Sequence, residues 1–395
     1  MTFVCMAGML TGIVQCLFLF VLARLGRALP ARASDDEAAA LTTPDADFPS
    51  VALIVPVAGS HPRMEEALTS LVMQNYPCLE PIFVTAADTE DAAALTACLQ
   101  KQFPQVRRVT AGQQAGCGQK NHNSLCGVKA AGQADVFVFC DSTHPARPDF
   151  VRTLVAPIAR GEADFTTGYH QVLPRDARPV TLAYAVCVLL MRLLQALAPF
   201  TQPWGGAMAI RRAAFERWNI ADIWAGNVVD DCSLAGILPS LGARVRLCPG
   251  ALLNTEAAVH RLPVWLAWMD RQVRFLKFCV PSQWFLLGAL CALMALPLVW
   301  AAVTLCAALV NTDMGWPVAG VLVYLGMLTA VMNSWRRLVP APVPLLPWLR
   351  AFLCAVGMFA YVYARSVTAK DIVWHGIQYT VGRGGKVSAA CRAAR

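Results

Sequence analysis

Asp141 closes a run of apolar, strand-forming residues, Val136-Phe137-Val138-Phe139-Cys140, and is followed by Ser142-Thr143-His144. Such a run reads as a buried strand that stops abruptly at a carboxylate. In open α/β sheets, ligands bind outside the carboxyl ends of the strands. Asp141 would then project into a crevice and meet a divalent ion or a phosphate-bearing ligand. An aspartate there also suits the cap of a following turn, and the run alone supports both readings. A second apolar run, 81–85, ends near Asp88 and Asp91, which would face the same crevice. Between these strands, residues 112–123 form a Gly-rich loop that carries Lys120 into a helix. Backbone N–H groups and a point charge of that kind can contact phosphates, although the Gly-Lys-Ser/Thr ending of a Walker loop is missing. Further on, Asp230 and Asp231 stand together at the start of a helix, where capping and dipole complementarity would also explain them. Arg271 and Arg274 lie three apart on an aromatic, basic helix over 265–278 and so share a face.

These groups need a scaffold, and the composition says what kind. Of 395 residues, 57% are hydrophobic and 15% charged, against about 25% charged in soluble domains. The chain therefore combines membrane segments with one soluble domain. Its net charge is +8, but much of the basic excess flanks apolar runs. That placement suits membrane orientation and lipid headgroups and argues against nucleic acid as a partner. Fifteen cysteines, with no Cys-x-x-Cys pair, are scattered singly, and Cys16, Cys291, Cys306 and Cys354 fall inside apolar runs. They read as reduced, small hydrophobes, which excludes a disulfide framework or a zinc site.

Residues 1–24 hold an apolar run of spanning length, 4–23, followed by Arg24, Arg27 and Arg32. It reads as a retained anchor with its N-terminus outside and the next region in the cytoplasm. No basic segment precedes it, which argues against a cleaved signal peptide. Residues 25–48, rich in Ala, Asp and Thr, read as a linker. From 49 to 280 strands alternate with helices: strands at 51–57, 81–85, 106–110 and 136–140, helices at 61–73, 91–103 and 123–131. The pattern predicts an α/β, doubly wound, mostly parallel sheet. Residues 180–200 read as an amphipathic helix on the membrane surface, and 204–212 as a Gly turn into a strand. Residues 281–365 contain apolar segments at 285–310, 316–332 and 347–363, giving a multi-pass membrane protein. The basic, Gly-rich tail, 366–395, would then fall outside, against the positive-inside rule. Either the last segment is not a simple span or the rule fails here.

The order Asp88, Lys120, Asp141-Ser142, Asp230-Asp231 and Arg271-Gln272-Val273-Arg274-Phe275 resembles the ceramide glucosyltransferase family and its bacterial hopanoid and lipid glycosyltransferase relatives. These are inverting enzymes of the GT-A fold with an N-terminal anchor and C-terminal membrane helices. The motifs cover 51–278, and even Gly382-Arg383-Gly384-Gly385 looks like the family's ending. The resemblance implies a nucleotide-sugar donor, UDP-linked glucose or N-acetylglucosamine, and a lipid acceptor, sphingolipid-like or hopanoid-like. It implies a catalytic domain on the cytoplasmic side, in a bacterial inner membrane. Asp88, or Asp91 in its place, would hold the nucleotide, and Lys120 would face the diphosphate. Asp141, with Ser142 beside it, would bind the diphosphate through Mg²⁺ or Mn²⁺. Asp231 would be the general base. Arg271 and Arg274 would stabilise the departing diphosphate or shape the acceptor entrance, with Trp204 and Phe275 as aromatic contacts to the acceptor. Two positions depart from the family pattern: Asp141-Ser142-Thr143 lacks the second carboxylate of Asp-x-Asp, and Phe275 replaces a tryptophan. One carboxylate suffices where substrate phosphates complete the metal shell, and His144 or water would contribute. The competing readings are a processive polysaccharide synthase of the same fold and a degenerate, non-catalytic GT-A membrane scaffold.

Overall fold

Seven runs rich in apolar and β-branched residues pair into one sheet: β1 (Val51–Pro56), β2 (Leu79–Thr85), β3 (Arg107–Thr110), β4 (Val136–Cys140), β5 (Phe165–Pro174), β6 (Ala207–Arg211) and β7 (Val245–Ala257). The structure, a computed structural model, describes residues 2–392 apart from 115 and 312. The strand order is β3-β2-β1-β4-β6-β5-β7. All neighbours run parallel except β6, which is antiparallel to both β4 and β5. Leu53, Val55 and Val138 face one buried layer, and Ile54, Phe137 and Phe139 face the other. Both faces are covered, as nearly continuous hydrophobic strands require. The doubly wound, mostly parallel α/β sheet expected from the sequence is thus present.

The helices are α1 (Thr2–Thr42), α2 (Met64–Val72), α3 (Asp91–Gln102), α4 (Gln119–Ala130), α5 (Phe150–Ala159), α6 (Pro179–Gln195), α7 (Arg212–Arg217), α8 (Ile220–Ala225), α9 (Asp231–Ala235), α10 (Leu262–Cys279), α11 (Pro281–Ala308), α12 (Gly315–Trp335) and α13 (Leu345–Val367). The chain winds from β1 out to β3 and returns through α4 to β4 on the other side of β1, so the crevice opens between the ends of β1 and β4. Gly127 lets α4 lie close on the sheet, because a Cβ there would stand 2.4 Å from Ile54 Cγ2. That approach sets the start of α4, with Lys120, over the crevice. Among the described residues four helices, α1, α11, α12 and α13, are long and apolar enough to cross a membrane.

Two expectations are corrected, and the tail, read above only by its composition, gains a structure. Residues 25–48 do not form a linker: α1 continues to Thr42, 41 residues in all, roughly 60 Å long and about twice a bilayer's hydrocarbon thickness. Its Ala-rich second half favours helix, and it is fastened to the sheet domain through Asp36. That buried carboxylate accepts from Gly250 N at 3.2 Å and pairs with Arg246 at 3.1 Å. Second, the helix at 180–200 does not lie open on a surface. Residues 181–189 are all buried, because α6 packs between β5 and α13. The tail is folded. β8 (Asp371–Trp374), β9 (Ile377–Val381) and β10 (Val387–Arg392) make an antiparallel sheet. His375 and Gly376, both at positive φ (47° and 73°), form the two-residue turn between β8 and β9.

Candidate active site

Lys120 stands in the first turn of α4, at the centre of the carboxylates. Gly118 precedes that helix where a Cβ would collide with Val228 O at 2.0 Å, so the loop and the Asp230-Asp231 segment can lie against each other. Lys120 Nζ is 2.9 Å from Asp141 Oδ1 and 3.0 Å from Asp230 Oδ2. It also donates to Gly205 O at 3.0 Å. One of the ammonium's three donors is given to Gly205 O, and its charge is shared between the two carboxylates. Burial works against its charge, but the carboxylates of Asp141, Asp230 and Asp231 outweigh burial and hold the lysine protonated far above its ordinary range.

The three aspartates differ in setting. Asp230 is 1% exposed, and Lys120 is its countercharge. Neither of its oxygens accepts a well-aligned hydrogen bond, so the pairing is ionic rather than directional. Asp231 is gripped by the backbone: Gly205 N donates to Oδ2 at 3.0 Å and Cys232 N to Oδ1 at 2.6 Å. Burial, then the neighbouring Asp230 charge, pushes its carboxyl up to about 6, against the opposing pull of Lys120. A fixed carboxylate in that range is suited to take a proton near neutral pH. Asp141, at the end of β4, is 35% exposed and faces the cavity together with Ser142. Gly205 has no room for a side chain, since a Cβ would lie 2.5 Å from Asp230 Oδ2. Gly205→Ala is therefore expected to displace Asp230 and lower turnover at least tenfold while donor binding falls less, which steady-state kinetics and calorimetry would separate.

These groups line one cavity of about 900 Å³. Arg271 and Phe275 enter it from α10. Burial lowers the Arg271 guanidinium's proton affinity and the Asp141 charge opposes that effect. The Arg271 guanidinium sits 5.6 Å from the ring centre of Trp374, and Phe275 meets the same ring edge-on at 5.7 Å. Trp204 lies stacked on His170 at 4.9 Å and beside Tyr169 at 5.1 Å. Arg274 turns instead to the C-terminal sheet. It pairs with Asp270 at 2.8 Å and with Asp371 Oδ1 at 2.9 Å, and donates to Asp371 O at 2.9 Å.

Asp88 and Asp91 do not face the crevice as expected. Asp88 is 71% exposed, takes the Thr110 hydroxyl at 2.7 Å and lies 3.8 Å from Arg108. Asp91 is exposed at the start of α3. Between them Glu90 lines the cavity with a buried, unpartnered Oε2, and burial raises its carboxyl. The acidic run 88–91 was the available signal, and the turn after β2 selects which acid points inward.

Two further groups escaped sequence reasoning. Thr255 Oγ1 lies 2.7 Å from His170 Nδ1 and 3.1 Å from Nδ1 of His144, the residue considered above beside Asp141, and burial lowers the proton affinity of both imidazoles. The C-terminal sheet also walls the cavity with Trp374, His375 and Tyr379. It docks through Val228 N to Gly385 O at 3.0 Å and Val387 N to Gly226 O at 2.9 Å. The Tyr379 hydroxyl accepts from Gln119 N, one residue from Lys120, at 3.2 Å. Only a fold that returns the chain end to this wall could reveal the role of these residues.

Among the described residues no group of three or more His, Cys, Asp or Glu forms a ready-made metal shell. The partly exposed Asp141 carboxylate, beside a cavity wide enough for a diphosphate, nevertheless fits a hard divalent cation whose remaining oxygens come from phosphate and water.

Residues 4–387 match the family model described as glycosyl transferase family 21. Among curated proteins, none matches the chain in sequence. Solved structures of similar shape include a mannosyltransferase from Pyrobaculum calidifontis in complex with GDP-Man and Mn²⁺, with TM-score 0.49 and 18% identity over 88% of this chain and 98% of that chain. Another is glucosyl-3-phosphoglycerate synthase from Mycobacterium tuberculosis in complex with Mn²⁺ and uridine-diphosphate-glucose, with TM-score 0.39 and 20% identity over 62% and 81%.

Proposed function

The chain belongs to glycosyl transferase family 21, and from that premise we propose a membrane-bound, inverting transfer of a sugar from a UDP-linked donor to a lipid hydroxyl. The family is the one anticipated from the order of the motifs. The observation that carries the reading is the setting of Asp231: a partly buried carboxylate fixed by two backbone N–H groups, next to a lysine shared by Asp141 and Asp230.

Asp231 accepts the proton of the acceptor hydroxyl. The acceptor oxygen attacks the anomeric carbon from the face opposite the diphosphate. The carbon–oxygen bond to the phosphate breaks, and its electron pair leaves with the nucleoside diphosphate. A single displacement inverts the anomeric centre and needs only one carboxylate base. Lys120 and Arg271 stabilise the charge that builds on the leaving group. Asp141 would hold Mg²⁺ or Mn²⁺, which when bound neutralises part of that charge. Arg274 acts at one remove, as a positioning residue that ties α10 to the C-terminal sheet. Glu90, which lines the same cavity, would meet the nucleoside of the donor, the role first considered for Asp88 and Asp91.

A lipid acceptor is supported by the apolar part of the cavity lining. Tyr184, Met191, Leu194, Trp268 and Leu276, from α6 and α10, line it together with Gln283 in the first turn of α11. The docked tail also bears on topology. Because 371–392 packs against the catalytic domain, both lie on one side of the membrane, and the chain crosses an even number of times between them. We assign the crossings to α11 and α12 and let α13, packed on α6 and α10, return along the interface. This arrangement keeps the basic tail on the cytoplasmic side. A protease site placed after Arg392 should be cut from the same side as one in the loop near Gly161; cutting from the opposite side would refute it.

The direct test incubates detergent-solubilised protein with radiolabelled UDP-sugars and membrane lipid, with and without Mn²⁺. Label entering the organic phase supports the proposal, and label held in a polymer would replace it with a polysaccharide synthase. Asp141→Ala is expected to remove the metal-dependent part of donor binding, measured by calorimetry. An unchanged metal response would refute the role of Asp141.

A further inference from the structure

We propose that the two loops where β5 and β7 end, 175–179 and 258–264, dip into the bilayer surface, so that the catalytic domain touches the membrane at a place separate from its spanning helices. The inference rests on the membrane reading above.

β5 and β7 run parallel and stop together: Pro174 pairs with Ala257, and Arg175 N donates to Ala257 O at 2.9 Å. The two outgoing loops therefore lie side by side. Loop 258–264 carries Val259, Leu262 and Val264, which are 53%, 40% and 49% exposed. Single apolar residues on a surface need no explanation. Here three stand within six residues, and no acid occurs from 257 to 269. Arg178 and Arg261 are exposed beside them, as is Arg175, which pairs with Glu256. Apolar tips among basic residues are the composition of a surface that enters a headgroup layer.

The backbone holds that surface out. Val259 sits at φ 49°, a left-handed conformation that a β-branched residue rarely adopts. Asp176 accepts from Val259 N at 2.5 Å and, at its other oxygen, from Arg178 N at 2.9 Å. His260 N donates to Thr181 Oγ1 at 3.2 Å. Backbone strain persists where the surroundings over-determine it, and it clusters at functional segments. The clamp uses the backbone of both loops and leaves the Val259 side chain exposed.

The occupant follows from continuity. Leu262 opens α10, which leads through Val280 into the spanning helix α11, and α6 starts at Pro179 in the neighbouring loop. α13, assigned above to the interface, packs on both α6 and α10. The loops thus stand where the two interfacial helices begin. His260, between Val259 and Leu262, lines the cavity, so bilayer contact here sets the cavity mouth at the lipid surface.

The test places a nitroxide at Leu262→Cys in the full-length protein, with the exposed Cys78, Cys98, Cys306 and Cys391 changed to serine, in vesicles of phosphatidylcholine and phosphatidylglycerol. Electron paramagnetic resonance reads collisions of the label with oxygen, which concentrates in lipid, and with a water-soluble nickel chelate. Lys101→Cys, exposed on α3 beside the opposite edge of the sheet, is the aqueous reference, and Leu322→Cys, exposed on α12, is the lipid reference. The expected result is a several-fold loss of nickel contact and a gain of oxygen contact at 262 relative to 101. Val259→Asn with Val264→Asp should melt in detergent no lower than the parent, because asparagine tolerates the left-handed region and an acid suits the first turn of a helix. The same pair should return nickel contact at 262 towards that at 101. Equal accessibility at 262 and 101, or exclusion of nickel kept in the double variant, overturns the inference. Dipolar broadening at 262 that vanishes on dilution with unlabelled protein overturns it in favour of a second copy of the chain. If Leu322→Cys also reads as aqueous, the membrane reading itself fails.

Discussion

Asp231→Asn is expected to reduce sugar transfer by about 10²–10⁴-fold, the contribution of one positioned general base, while calorimetric affinity for the donor stays close to that of the parent protein. The amide keeps the shape of the side chain and an oxygen for the Gly205 or Cys232 N–H, but it cannot take a proton. Equal loss of binding and turnover would make Asp231 a donor-binding residue instead. Burial, followed by the Asp230 charge, raises the Asp231 carboxyl to about 6 in the folded protein, above its ordinary value near 3.9. A raised folded value means that the folded state binds this proton more tightly. The stability it contributes is fully present below about pH 4 and is lost as pH rises through about 6. At neutral pH the ionised carboxylate thus weighs against folding, and Asp231→Asn should melt at the same temperature as the parent or higher. The rate follows the opposite form: the base must be ionised, so kcat should rise with pH to about 6 and then level. A rate that falls across that interval would exclude Asp231 as the base.

Lys120→Met is expected to cost both stability and activity. It leaves Asp230, almost wholly buried, without its countercharge, and breaking a buried pair from one side typically costs about 3–5 kcal/mol. It also removes the cation beside Asp141, where the leaving diphosphate would sit. Since Lys120 holds the Asp231 carboxyl down, any residual activity should show its pH limb displaced upward. Adding Asp230→Asn should restore much of the lost stability and little of the turnover. Denaturant melts of the four proteins of the cycle would measure this coupling, and strict additivity would deny that the lysine and the carboxylate act as a pair.

Different parts of this site were legible to different degrees. Asp141 could be placed because a hydrophobic strand ending in a carboxylate is a local pattern with a fixed geometric consequence. The Asp230-Asp231 pair was likewise visible as a helix start, and the loop-to-helix step before α4 was visible but set at 123, whereas the helix begins at Gln119 and takes in Lys120. The contact between them was not, because Lys120 reaches Asp230 across 110 residues only after Gly118 and Gly205 remove the side chains that would hold the segments apart. Glu90 was hidden among equivalent neighbours: Asp88, Glu90 and Asp91 are alike in charge, and one turn after β2 decides which of them lines the cavity. Arg271 and Arg274 share a helix face in sequence, yet one enters the cavity and the other is captured by Asp371. That division depends on a tail whose position no local rule gives.

By itself the sequence determined the chemistry available and the layers that carry it. Apolar runs of spanning length are the signal of a membrane-associated chain, and the structure gives them as helices long and apolar enough to cross one. Alternating strands and helices dictate a wound sheet, and such a sheet offers its ligand a crevice at the strand ends. Tertiary structure alone decided which charges are paired, which acid is desolvated and what closes the cavity. Those outcomes depend on distances of a few ångströms between segments far apart in the chain, where a buried charge is tolerated only if another arrives to meet it. The tail shows this most plainly. Read alone, 366–395 is a basic, Gly-rich ending. Folded, it supplies Trp374, His375 and Tyr379 to the wall of the cavity, because backbone hydrogen bonds to Gly226 and Val228 give its strands a place to stop.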